Sequence, residues 1–145
     1  MKITICGSLK FVKEMKEVQN LLEEQGHVVL MPESAVEEKN DVYWNELKES
    51  NVDEFARVKG ERIKLHFNKI NSSDAILILN YDKHGKENYI GPNTFLEMGF
   101  AFGMNKKIFV LNDLPQDQKH EELLSMKPIC LNQDFNKIRE ITCQQ

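Results

Sequence analysis

Two glycine-rich motifs that bind phosphate groups are missing from this chain, and cysteine is scarce. The chain contains neither the P-loop pattern Gly-x-x-x-x-Gly-Lys-Ser/Thr nor the dinucleotide pattern Gly-x-Gly-x-x-Gly, so no motif indicates ATP or NAD. The cysteines are Cys6, Cys130 and Cys143, which include no Cys-x-x-Cys pair and indicate neither a disulfide framework nor a zinc site. The sequence therefore predicts no cofactor and no metal.

Long apolar runs and an excess of positive charge are also missing. No apolar segment approaches the length of about 20 residues that crosses a membrane, and no charged region leads into an apolar signal segment. Lys and Arg total 19 against 23 Asp and Glu, and this net charge of -4 gives no reason to expect a nucleic acid polymer. We therefore expect a cytoplasmic protein with no membrane partner, built as a single domain over residues 1–145.

Five short apolar segments, each bounded by polar residues, alternate with helical patterns. They are Lys2–Cys6, Val28–Met31, Asp74–Leu79, Lys107–Leu111 and Ile129–Leu131. This alternation predicts an α/β protein, a flavodoxin-like or Rossmann-like three-layer sandwich whose five parallel strands take the order 2-1-3-4-5. The central strands of such a sheet are covered on both sides. The side chains expected to be buried for this reason are Ile76, Ile78, Ile108 and Val110.

The segment between the second and third strands is less regular. Glu33–Asn40 is polar and acidic and predicts a loop, and Asp41 is a candidate N-cap for the helix that follows. The pattern is helical over Val42–Asn71, with an interruption near Gly60. Other helices are predicted at Phe11–Leu22, Glu121–Ser125 and Phe135–Ile141.

The strand order predicts where a ligand binds. Because the chain reverses direction between the first and third strands, the loops after Cys6 and Leu79 face one another across a crevice. The first loop, Gly7-Ser8-Leu9-Lys10, offers backbone N–H groups, a hydroxyl and an ammonium, which suit a phosphate. The same residues are also consistent with a tight turn at Gly7, an ordinary N-cap at Ser8 and a solvated Lys10.

The second loop runs into an apolar helix over Asn88–Ala101 and carries Glu97, which has two interpretations. Thr94-Phe95-Leu96-Glu97 fits the Ser/Thr-x-x-Glu capping box, in which Glu97 satisfies a backbone N–H at the helix start. Alternatively, Glu97 is a carboxylate in the first helical turn, held ionised by the helix N-terminus, that points into the crevice as a nucleophile. Both interpretations stay open on the residues alone.

Four motifs follow one another in the order typical of a known family. They are Cys6-Gly7-Ser8, Asp74-Ala75-Ile76, Thr94-x-x-Glu97-x-Gly99-x-Ala101 and Lys106-Lys107-Ile108. With these motifs the chain resembles the nucleoside 2-deoxyribosyltransferase-like family, which includes deoxynucleoside 5′-phosphate N-hydrolases. The resemblance implies a flavodoxin-like sheet, a small-molecule nucleoside or nucleotide as partner, and a homo-oligomer in which a neighbouring subunit completes the pocket. It also implies a transferase or hydrolase in which Glu97 attacks the anomeric carbon of a deoxyribose and expels the base.

The resemblance implies further site residues. Ser8 and Lys10 fall where the N-hydrolases hold the 5′-phosphate, and His66 stands ahead of Asp74 where the family usually has an aspartate. An imidazole there can protonate a leaving base, although a partly buried structural histidine fits the pattern equally well. The polar segment Tyr81–Tyr89 is either a flap over the base or a solvated loop. The implied catalytic residues are Glu97 and His66, and the implied substrate-binding residues are Gly7, Ser8, Lys10, Asn88, Gly91, Asn93 and Thr94.

Two other classes of function remain open. In a noncatalytic nucleotide-binding or sensing module, Glu97 would only cap its helix. A phosphoribohydrolase of the lysine-decarboxylase-like type carries Pro-Gly-Gly-x-Gly-Thr-x-x-Glu, of which this chain keeps only Gly91, Thr94 and Glu97. The missing glycines normally bring backbone close to phosphate, so the deoxyribosyltransferase-like interpretation is preferred among the enzymes.

Overall fold

A computed structural model describes residues 1–143, which contain one parallel sheet. Its strands are β1 (Lys2–Gly7), β2 (Val28–Leu30), β3 (Ala75–Leu79), β4 (Lys107–Val110) and β5 (Ile129–Cys130). They lie in the order β2-β1-β3-β4-β5 and every neighbouring pair is parallel, which confirms the predicted sheet. β1 and β3 pair in a register that sets Gly7 beside Leu79, so both strands end at the same edge.

Helices cover both faces of the sheet, which confirms the three-layer arrangement. They are α1 (Val12–Glu24), α2 (Glu33–Val36), α3 (Asp41–Ser50), α4 (Val52–Asn71), α5 (Pro92–Gly103), α6 (His120–Ser125) and α7 (Asn136–Cys143), with a 3₁₀ turn at Leu9–Phe11. Buried side chains facing the sheet are Met15, Leu22 and Ile138 on the face of α1 and α7, and Ile70, Met98 and Leu123 on the face of α4, α5 and α6. Among the described residues, no helix is long and apolar enough to span a bilayer.

Alternation along the strands decides which side chains reach which face. Ile5 packs in the cluster beneath α1 and α7, whereas its neighbour Cys6 packs in the cluster beneath α4 and α5. The predicted burial of the central strands is confirmed: the four side chains are 0 to 4% exposed, and they are Ile76, Ile78, Ile108 and Val110. The same alternation leaves the thiol of Cys6 at the end of β1, facing α4 and α5.

The helical region after β2 breaks at Asn51 and not near Gly60, so the predicted position of the interruption is wrong. α3 ends at Ser50, and the side chain of Asn51 accepts a hydrogen bond from the N–H of Glu54 at 3.1 Å, which caps α4. Gly60 lies inside α4, where a glycine costs about 1 kcal/mol relative to alanine. The packing of α4 on the sheet through Ile70 outweighs that cost, and the helix continues.

Two smaller predictions for this region are also wrong. The predicted loop Glu33–Asn40 begins with the short helix α2, because the carbonyl of Pro32 accepts backbone hydrogen bonds from its first turn. Asn40, and not Asp41, caps α3: the Asn40 side chain accepts from the N–H of Tyr43 at 3.2 Å, and Asp41 is the first residue of the helix.

Candidate active site

A cleft lies at the carboxyl edge of the sheet, between the turns that follow β1 and β3. The predicted site residues that line it are Gly7, Ser8, His66, Gly91, Asn93, Thr94 and Glu97. The two glycine-containing turns therefore share one pocket, as the strand order predicted. α3 and α4 close its other side through Asp41 and Lys59.

Two of the predicted binding residues lie outside this cleft. The side chain of Lys10 is exposed, and its ammonium sits 5.7 Å from the ring centroid of Phe11. Asn88 has a left-handed backbone with a φ of 52°, and its N–H donates to Asp82 at 2.9 Å in the loop that precedes the cleft. Asn88 therefore helps to fix the conformation of the loop. The side chain of Lys10 does not line the cleft.

Lys83, which the sequence analysis did not single out, supplies the cation at the first turn. Its Nζ donates to the Ser8 hydroxyl oxygen at 2.7 Å and lies 3.5 Å from Oδ2 of Asp41. Only 11% of its side chain is exposed. Ser8 is also the N-cap of the 3₁₀ turn, accepting weakly from the N–H of Lys10 at 3.3 Å. An ammonium and a hydroxyl thus stand together at the point where the sequence predicted a phosphate.

The helix start at α5 rules out the capping box. α5 begins at Pro92 with Gly91 as its N-cap, so Thr94 is already inside the first turn and Glu97 lies in the second. Proline is favoured at the first helical position, since its ring sets the helical φ and the N–H it lacks would have no helical partner. The capping-box interpretation is therefore wrong, and so is the placement of Glu97 in the first turn.

Glu97 is a buried acid and not an exposed carboxylate. The residue is 7% exposed, and burial raises the pKa of its carboxyl to about 8, against smaller opposing effects of the Cys6 thiol and the Lys59 ammonium. Burial therefore opposes the ionised form of Glu97 that the sequence analysis expected the helix N-terminus to stabilise. Near neutral pH most Glu97 side chains carry a proton.

His66 reaches the same spot from α4. Its Nε2 lies 3.7 Å from Oε1 of Glu97 and 3.3 Å from Sγ of Cys6, and the residue is 5% exposed. Burial lowers the pKa of His66 to about 4, so its contact with Glu97 joins two neutral groups near pH 7 and is not an ion pair. Nδ1 of His66 is buried and has no hydrogen-bond partner within residues 1–143. The histidine is thus fully buried beside the acid, and not partly buried as the structural interpretation held.

α4 presents one mainly polar face to the cleft. Its lining residues are Lys59, Arg62, Ile63 and His66, spaced at i, i+3, i+4 and i+7. Burial lowers the pKa of Lys59, whose ammonium lies 4.9 Å from the ring of Trp44, and Arg62 pairs with Glu37 at 2.7 Å. The sequence contains this helical spacing. The sequence analysis did not identify the face because Lys59 and Arg62 are polar and do not belong to an apolar stripe.

The segment between β3 and α5 faces the cleft in part. Lys83 and Tyr89 line the cleft. The backbones of Lys83 and Lys86 form an antiparallel bridge, in which the N–H of each donates to the carbonyl of the other at 3.0 Å. His84 and its neighbours at the tip are exposed. The segment is therefore a folded turn that contributes two side chains to the pocket.

The fold and the cleft define a doubly wound α/β protein with an acid–imidazole pair at the carboxyl edge of its sheet. No protein-family model and no curated protein matches the chain. Among solved structures it is similar to the CMP N-glycosidase BcmB of Clostridium botulinum, with a TM-score of 0.56 and 16% sequence identity. The similarity covers 98% of this chain and 99% of that chain, so the two share their fold from end to end.

Proposed function

We propose that this protein cleaves the N-glycosidic bond of a nucleoside or deoxynucleoside, or of its 5′-phosphate, with Glu97 as the nucleophile. The observation that carries the proposal is the position of Glu97, buried at the carboxyl edge of the sheet with His66 Nε2 at 3.7 Å. A buried carboxyl in a cleft that contains other titratable groups is typical of a catalytic site. The fold shared with a CMP N-glycosidase and the motifs around Glu97 support the same class of reaction.

Two displacements at one carbon describe the reaction. The Glu97 carboxylate forms a bond to the anomeric carbon while the bond to the base breaks, and the electron pair of that bond leaves with the base. Water, or a second base in a transferase, then attacks the same carbon and releases Glu97, so configuration is retained overall. The departing base needs a proton, which solvent supplies; neutral His66 beside Glu97 can relay it by taking a proton at one ring nitrogen and releasing one from the other.

The first turn is proposed to hold the 5′-phosphate of a nucleotide substrate. Ser8 offers a hydroxyl, and the Lys83 ammonium 2.7 Å from it offers charge. Lys83 thus takes the role that the family resemblance implied for Lys10. An incoming phosphate would compete with Asp41 for Lys83, since Oδ2 of Asp41 is 3.5 Å from Nζ.

Release of free base is the direct test. Purified protein is incubated with panels of ribo- and deoxyribonucleosides and their 5′-monophosphates, and free base is separated by chromatography. We expect at least one substrate to release base and Glu97→Gln to release none with its fold intact by circular dichroism. Glu33→Gln is the matched control, because Glu33 also lines the cleft but pairs with Lys69 at 2.9 Å and should leave the reaction running. Equal rates for wild type and Glu97→Gln would overturn the mechanism.

A noncatalytic nucleotide-binding module is the second candidate, and one observation favours it. Glu97 is mostly protonated near neutral pH because burial raises its pKa to about 8, which weakens it as a nucleophile. Binding of a nucleotide by both wild type and Glu97→Gln, without release of base from any substrate, would identify such a module.

A further inference from the structure

A thiol, an imidazole and a carboxyl meet in the interior beside the cleft. We call Cys6, His66 and Glu97 the buried triad; they come from β1, α4 and α5. The three residues are 0, 5 and 7% exposed. Their side chains offer Sγ, Nε2 and a carboxylate oxygen, all within 4.8 Å of one another. These are the three side-chain types that most often bind zinc in proteins.

Two of the three distances within the buried triad agree with a tetrahedral metal site. Ideal bond lengths to Zn²⁺ place the ligand atoms of such a site about 3.4 to 3.6 Å apart. Sγ of Cys6 and Nε2 of His66 are 3.3 Å apart, and Nε2 is 3.7 Å from Oε1 of Glu97. Sγ of Cys6 and a carboxylate oxygen of Glu97 lie within 4.8 Å of each other, so side-chain rotations that close this third pair would let a cation bind all three atoms.

We propose that the buried triad binds a thiophilic divalent cation, of which Zn²⁺ is the reference, with three protein ligands and a fourth position open to the cleft. A cysteine sulfur selects zinc-like cations over Mg²⁺ and Ca²⁺, which prefer oxygen ligands. His66 and Glu97 line the cleft, so the cation has a path to the site and the fourth ligand points toward solvent or substrate. Nothing in the local sequence pattern indicates this site, since its ligands come from three separate elements.

Charge balance supports a cation in this buried place. Binding replaces the thiol proton of Cys6 and the carboxyl proton of Glu97, both of which leave to solvent, and uses the lone pair of His66 Nε2. The cation's two positive charges are then matched by one thiolate and one carboxylate. The complex is neutral overall, which lowers the cost of holding an ion away from water.

One consequence rests on the proposed function. A carboxylate that coordinates a cation cannot attack the anomeric carbon, so metal binding should inhibit base release. The cation and the substrate would compete for Glu97. Metal binding itself does not depend on the enzyme having any activity.

Cobalt is the probe, because Co²⁺ reports its own ligands. Wild-type protein titrated with Co²⁺ should develop the near-ultraviolet band of a thiolate–cobalt bond and the intense visible bands of tetrahedral cobalt, saturating at one equivalent, and Zn²⁺ should abolish them. Cys6→Ala should remove the near-ultraviolet band. Cys130→Ala is the matched control, because the Cys130 thiol contacts Asp113 at 3.4 Å in another part of the fold, and it should keep both signals. An absent thiolate band in the wild type, or its loss in Cys130→Ala alone, overturns the proposal.

Glu97→Gln and His66→Phe keep the proposal testable if Cys6→Ala does not fold. Each removes one ligand and retains Cys6, and each should weaken Zn²⁺ binding measured by calorimetry by at least about tenfold. Unchanged affinity in both variants overturns the three-ligand site. If wild type releases base, its inhibition by Zn²⁺ should follow the cobalt-competition curve, and full activity at saturating Zn²⁺ refutes the inhibitory role. If no substrate releases base, the proposed function fails, while the cobalt bands still decide the metal site.

Discussion

Nε2 of His66 lies 3.7 Å from Oε1 of Glu97, and each group is neutral near pH 7 for the same physical reason. Burial lowers the pKa of His66 to about 4 and raises that of Glu97 to about 8, because the interior disfavours the charged form of each. If the anomeric carbon of a bound substrate gains positive charge as the base departs, that charge would favour the ionised form of Glu97 over the protonated form. In the proposed mechanism Glu97 therefore loses its proton to solvent before it attacks, and the positive charge that develops on the sugar then stabilises the carboxylate.

The first prediction concerns the pH dependence of base release. If the Glu97 carboxylate attacks, kcat/KM should rise about tenfold per pH unit below pH 8 and level off above it, since the pKa of Glu97 in the free protein is about 8. Initial rates at low substrate concentration from pH 5.5 to 9.5 measure this profile. A rate that falls between pH 6 and 8 would contradict a requirement for ionised Glu97.

The second prediction concerns the stability cost of Glu97. Its folded pKa of about 8 exceeds the ordinary value of 4.5, so the unfolded chain loses this proton first. Between those values the free energy of unfolding of the wild type should fall with rising pH by up to about 1.4 kcal/mol per unit from this group, and the loss should become constant above pH 8.

Glu97→Gln isolates that cost, because glutamine does not titrate. Urea unfolding of both proteins at pH 5, 6.5 and 8 should show the variant gaining on the wild type as pH rises. The other ionisable groups are common to both proteins and cancel in the difference. A difference in unfolding free energy that stays constant over this range would mean that Glu97 is ionised in the folded state.

The third prediction separates Lys83 from Lys10. Lys83→Ala should weaken binding of a 5′-mononucleotide by about 1 to 3 kcal/mol, the range for a charge-assisted hydrogen bond, and leave nucleoside binding unchanged. Lys10→Ala is the control, because Lys10 is exposed and does not line the cleft. Calorimetric titration of both ligands into both variants tests it, and the reverse pattern would return the phosphate role to Lys10.

The fourth prediction compares the two glycines of the cleft. A Cβ at Gly7 would lie 3.2 Å from the carbonyl oxygen of Leu79, which the sheet holds in place. At Gly91 it would lie 3.2 Å from the ring of Tyr89, a side chain that can move. Gly7→Ala should therefore destabilise the protein by about 1 to 3 kcal/mol and Gly91→Ala by less. Urea unfolding measures both, and an equal loss would show that the Tyr89 ring is held as rigidly as the backbone of β3.

The sequence by itself determined the sheet, because strand identity depends on short-range patterns. Apolar segments such as Ala75–Leu79, with polar residues on either side, are buried wherever they lie, and the alternation of strands with helices restricts the order in which they can pair. That order also brings the turns that carry Gly7 and Gly91 to one cleft. Glu97 was singled out by its motif and by its place after the second turn.

Only the tertiary structure decided the state and the neighbours of Glu97. The helix starts at Pro92, which removes the capping box, and the sequence pattern could not choose between Pro92 and Thr94 as its beginning. Lys83 contacts Ser8 although the two residues are 75 positions apart in the chain, so no local sequence pattern could predict the contact. The protonation of Glu97 depends on how much water its surroundings exclude, and those surroundings come from distant segments of the chain. Desolvation is a property of the packed interior, so no reading of residues in order could supply it.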